Sequence, residues 1–146
     1  MADPVVINFA GPPVAKGRPR FTSIGGRPIA YTPTKTRKYE SALQYAAQQA
    51  MDGRPLLVGA LSMSVVVSLP VPQSWSGKKQ KQALAGEIMP TKRPDLGNYV
   101  KAAEDALNGV VFLDDSQVTF QTASKIYAEK PGLRIEVASY AREEAP

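Results

Sequence analysis

The chain has 146 residues, 43% hydrophobic and 21% charged, enough for a globular unit with its own core, and it contains neither histidine nor cysteine. That composition leaves out imidazole bases, thiolate nucleophiles and zinc cages, so the metal chemistry still open is carboxylate-held Mg²⁺ or Mn²⁺. A formal charge of +5 and a pI near 9.5 point to a polyanionic partner, nucleic acid foremost.

Residues 1–146 are expected to form one domain, because no repeat, low-complexity tract or linker divides them. No apolar run reaches the roughly 18–20 residues needed to span a bilayer. The opening MADPVVINFAGPPVAKGRPR sets acid before its apolar stretch and base after it, the reverse of a signal peptide. A soluble cytoplasmic protein, away from membranes, is expected, and the lack of cysteine fits a reducing compartment.

In chain order, the β-branched run at residues 5–10 predicts a strand closed by Gly11, Pro12 and Pro13. A basic loop follows, with Lys16, Arg18, Arg20 and Arg27 interleaved with Phe21, Tyr31, Gly17, Gly25 and Gly26; this flexible cationic segment suits phosphates, or simply water. Thr34 or Thr36 is placed to cap a helix reaching about Met51, with Leu43, Ala46, Ala47 and Ala50 as its apolar stripe and Gly53 and Pro55 as its stop. Residues 58–69 read as a long central strand with Leu61, Met63, Val65 and Val67 on one face. Ser74 or Ser76 caps a short basic helix over 77–85, whose Lys78, Lys79 and Lys81 face phosphate or solvent. A loop over 86–93 delivers Lys92 and Arg93 beside Asp95. Residues 118–128 and 133–140 read as a closing antiparallel pair joined by a Pro-Gly turn. This order predicts an α/β (α+β) protein, a small mixed sheet with helices packed on it.

The helix expected over 94–108 divides by angle into an apolar side (Leu96, Tyr99, Val100, Ala103, Ala106, Leu107) and a polar side bearing Asp95, Asn98, Lys101 and Asp105. Any capped amphipathic helix shows such a face, and Asp95 gains there from the helix dipole. Asp114 and Asp115, however, follow an apolar run directly, and adjacent carboxylates repel unless a cation or turn amides compensate. Asp95 with Asp114 or Asp115 is therefore a candidate pair of metal ligands, a phosphate completing the shell. Lys101 is placed to stabilise charge on that phosphate or to pair with Asp105 at i,i+4.

Residues 93–117, RPDLGNYVKAAEDALNGVVFLDDSQ, resemble the RusA family of Holliday-junction resolvases, phage-type and bacterial endodeoxyribonucleases. The match runs through Arg93, Pro94, Asp95, Asn98, Lys101, Asp105, Ala106, Leu107, Asp114, Asp115 and Gln117. The resemblance implies a small homodimer that binds four-way-junction DNA and nicks opposing strands symmetrically with Mg²⁺ or Mn²⁺. It implies that Asp95 and Asp115 are metal-binding catalytic carboxylates, Lys101 the catalytic lysine and Asp114 a supporting acid at the metal.

Lys16, Arg18, Arg20, Lys92, Arg93 and Lys125 are the residues expected to contact DNA. One position departs from the pattern: Gly97 stands where the family has a second aspartate, and Glu104 shares its helical angle but sits about 10 Å further along the axis. Weak cleavage, or a catalytically silent junction-binding protein, is the alternative this substitution raises. A small-molecule phosphohydrolase is disfavoured, because neither GxxxxGKS nor GxGxxG is present.

Overall fold

A computed structural model describes residues 3–17, 20–31 and 33–141. Val5, Val6 and Ile7 favour extended backbone, and strand β1 (Val5–Ala10) forms as the sequence predicts, with Val5 and Ile7 turned into the core. The stretch expected to be a basic loop instead contains a two-stranded ribbon, β2 (Arg20–Ile24) and β3 (Arg27–Tyr31), paired antiparallel. Its turn is Gly25 and Gly26, both at positive φ (60° and 79°), the backbone that a two-residue hairpin requires.

Helix α1 (Thr34–Met51) buries Tyr39, Leu43, Ala47 and Met51. Neither threonine caps it: Pro33 holds the cap position, and Thr36 is buried within the first turns. Asp52 in the left-handed region, followed by Gly53, ends the helix. Strand β4 (Leu61–Pro70) buries Leu61, Met63, Val65 and Val67. Helix α2 (Gly77–Leu84) starts at Ser76, whose Oγ accepts from the Lys79 N–H at 3.2 Å. Helix α3 (Leu96–Leu107) places Tyr99, Val100, Ala103, Ala106 and Leu107 in the core, as its periodicity predicts.

Strands β5 (Val118–Ala128) and β6 (Gly132–Ser139) exist but do not pair with each other. The sheet order is β1-β6-β4-β5, with β4 parallel to β5 and antiparallel to β6. Two strand spacings are about 10 Å, which the three residues between β5 and β6 can span, so a short connection does not force a hairpin. The most deeply buried strand takes the interior position, and β5 is left as an edge. The molecule is thus α+β, a mixed four-stranded sheet with α1 and α3 packed on one face. No described helix is long and apolar enough to cross a membrane.

Candidate active site

Asp95 occupies the cap position of α3 at φ −68° and ψ 147°, and its side chain makes no capping hydrogen bond. It is exposed and lines a cavity of about 690 Å³ with Lys16, Gly17, Arg93 and Asn98. The same end of α3 is tied to the segment before the ribbon, where the Lys16 N–H donates to the Asn98 carbonyl at 2.9 Å.

The Asp-Asp pair lies at the start of a single 3₁₀ turn, Asp115–Gln117. Asp114 is its cap: its carboxylate accepts from the Ser116 N–H at 3.0 Å. Hydrogen bonds from the Ser116 hydroxyl and N–H hold this exposed carboxyl below its ordinary range. Gln117 locks the turn. Its Oε1 accepts from the Leu113 and Asp114 N–H groups at 3.0 and 3.2 Å, and its Nε2 donates to the Leu57 and Gly59 carbonyls at 3.1 Å each. The compensation that adjacent carboxylates need is therefore supplied to Asp114 by turn amides.

Asp115 turns the other way, towards the second half of α3. The Asn108 Nδ2 approaches its Oδ1 at 3.5 Å, and its carboxyl faces that of Glu104 within hydrogen-bonding reach. Burial first, then this facing carboxyl, pushes Glu104 above its ordinary value, against the pull of a 3.1 Å hydrogen bond from Gln121 Nε2. Lys101 stands in the same field. Its Nζ is 3.0 Å from Asp105 Oδ1, and this bond, with the added charges of Asp115 and Glu104, raises its pKa.

The acid that meets Asp115 is Glu104, which sequence reasoning measured only against position 97. Nine residues, roughly 13 Å of helix axis, separate Asp95 from Glu104. Among the described residues no three His, Cys, Asp or Glu side chains converge into one cluster. Position 97 lies between these groups: Gly97 lines a cavity of about 390 Å³ with Lys101, Glu104 and Gln121. A Cβ added there meets no atom within 4 Å.

The expected DNA contacts fall into three situations. Lys92 and Arg93 are exposed on the loop that leads to Asp95. Lys16 and Lys125 are engaged within the protein: Lys16 Nζ lies 2.7 Å from Glu40 and 3.1 Å from Asp105, and Lys125 Nζ donates to the Lys92 and Pro94 carbonyls at 2.9 and 3.0 Å. Burial works against the charge on both Lys16 and Asp105, yet Lys16 is raised by its bonds to Glu40 and then Asp105, and Asp105 is lowered by its bonds from Lys101 and then Lys16. Arg20 opens β2, and Arg18 lies outside the described residues.

The family profile described as "Endodeoxyribonuclease RusA" matches residues 10–138. The chain belongs to the RusA endodeoxyribonuclease family. It is also 40% identical over 139 residues to the "Uncharacterized protein YqaN" of Bacillus subtilis (strain 168), which covers 92% of this chain and 94% of that protein. In RusA terms, the matched region runs from the last residue of β1 to β6 and includes all of α3, the acid turn and the ribbon. The RusA motif residues Asp105 and Gln117 have structural partners here: Asp105 joins Lys16 to Lys101, and Gln117 fixes the turn that presents Asp115.

Proposed function

We propose that the chain is a cytoplasmic, structure-selective nuclease that acts as a homodimer on four-way DNA junctions and nicks opposing strands with the help of Mg²⁺ or Mn²⁺. The observation that carries this reading is the facing Glu104–Asp115 carboxyl pair in the field of Lys101, on the helix whose start is preceded by exposed Lys92 and Arg93. Two facing carboxylates, one of them raised by burial and then by the other, suit a hard divalent ion, which needs few protein oxygens and keeps sites for water and phosphate. Asn108, whose Nδ2 approaches Asp115, also carries a buried Oδ1 with no hydrogen-bond partner among the described residues, an acceptor of the right kind. Glu104 and Asp115 are the residues that would hold the ion, with Asp95 at the opposite end of the same helix. A bound ion of this type supplies polarisation of a phosphoryl oxygen and a more acidic water.

The chain's own groups do the rest. The Lys101 ammonium, paired with Asp105 and within the field of Glu104 and Asp115, neutralises charge that builds on the phosphoryl oxygens. The backbone around Arg93 and Asp95 is held by Lys125, so the basic loop is presented in one place relative to α3. Gln117 keeps Asp115 facing Glu104. Symmetric cutting of two strands needs two such sites related by a twofold axis, hence a dimer.

A catalytically weakened or silent junction binder is the second reading, and Gly97 is what favours it: the cleft between Asp95 and Glu104 lacks the carboxylate that the family pattern sets there. A gel assay of four-way, three-way and linear DNA, with and without Mg²⁺, tests both. Preferential binding of the four-way substrate with Mg²⁺-dependent nicks supports the nuclease, and binding without nicks in any divalent ion supports the silent form. Equal treatment of branched and linear DNA overturns the junction reading altogether.

A further inference from the structure

Along edge strand β5, every second side chain points to the face that carries the helices, and the partners of that row form a sequence. Gln121 bonds Glu104, Ala123 lines the cleft with Gly97 and Lys101, and Lys125 ties down the carbonyls of Lys92 and Pro94. Tyr127 ends the row. It packs edge-on against Trp75 at 5.4 Å, and Lys79 Nζ sits 4.0 Å over the Trp75 ring, pinning the start of α2 to this end of the strand. The active-site cleft and α2 are thus two stations on one rim of the sheet, about 20 Å apart for six residues of strand.

With Lys79 seated on Trp75, Lys78 and Lys81 are the other exposed cations of α2, three residues apart and therefore neighbours on one helix face. Residues 71–93, which join β4 to α3 and contain α2, hold five cations and one acid, so the rim between α2 and the cleft is strongly positive. The geometry points to α2 as a distal phosphate clamp: Lys78 and Lys81 take backbone phosphates of the DNA arm whose other end lies in the cleft. This rests on the nuclease reading above. At 3.4 Å of rise per base pair, 20 Å sets these contacts about six base pairs from the reacting phosphate.

The test measures affinity for a four-way junction over a salt series, without divalent ion, for the wild-type chain, K78Q/K81Q and the charge-matched control K35Q/K38Q. The control residues are exposed on α1, which packs towards β1 at the opposite edge of the sheet. On arms of about 12 base pairs, K78Q/K81Q is expected to bind roughly tenfold more weakly and to lower the salt slope by about 2, while the control changes little. On hairpin-closed arms cut to about 4 base pairs, the difference between wild type and K78Q/K81Q should vanish, because the phosphates contacted are gone. Equal losses in the two variants, or a difference that survives on short arms, overturns the clamp and leaves the nuclease reading intact. A wild-type chain with no preference for branched DNA removes that reading and the clamp with it.

Discussion

Glu104 is held above its ordinary pKa by burial and by the carboxyl of Asp115, and this has a definite consequence for stability. A raised folded-state pKa means that the native chain binds the proton more tightly than the unfolded chain, so ionising Glu104 as pH rises lowers stability. Glu104→Gln should therefore raise the thermal midpoint at neutral pH in divalent-free buffer. That gain should shrink as pH falls through the Glu104 transition; thermal melts across a pH series check both. Gly97 offers the opposite experiment. It sits in the first turn of α3 with open space around it, so Gly97→Asp fits without displacement, and a carboxylate there favours the helix. Mg²⁺-dependent nicking by Gly97→Asp should exceed that of the parent by at least on the order of tenfold, and no gain would show that position 97 is not what limits cleavage. Asp95, Lys101 and Asp115 stood out in the sequence because their spacing on and after one helix is visible there. Glu104 did not, because its partner is 11 positions downstream and is brought back only by the turn that Gln117 fixes.

That turn is the element on which the geometry of the acid pair depends. Gln117 engages four backbone groups in two segments, and replacing its amide with an apolar side chain strands all of them. Gln117→Leu is expected to cost about 2 kcal/mol in urea unfolding, and to weaken cleavage further than that loss explains because Asp115 is no longer aimed at Glu104. Elements whose identity is local were legible: β1, the α2 cap at Ser76, and the buried faces of β4 and α3 follow from periodicity and capping chemistry. Sequence reasoning missed the ribbon, because its glycines read as flexibility in a basic loop rather than as the Gly25 and Gly26 turn of a hairpin. The insertion of β4 between β5 and β6 was not legible, since strand order is decided by which strand buries most rather than by the turn that joins two of them.

At the scale of the whole molecule, the sheet sets α3 against the exposed edge strand β5, and that placement lets a short row of side chains connect the acid pair, the basic loop and α2 on one open rim. Composition pointed to a polyanionic partner, but not to where along the sheet the acids and cations would lie. Glu104 and Asp115 together are proposed to hold the ion at which the reaction occurs. Mn²⁺ binding to the metal-free protein, followed by titration calorimetry, tests this most directly. Binding is predicted to be lost or strongly weakened in Glu104→Gln and in Asp115→Asn, and retained in Asp114→Asn, whose carboxylate serves as a turn cap. Undiminished Mn²⁺ binding by folded Glu104→Gln and Asp115→Asn variants would contradict it.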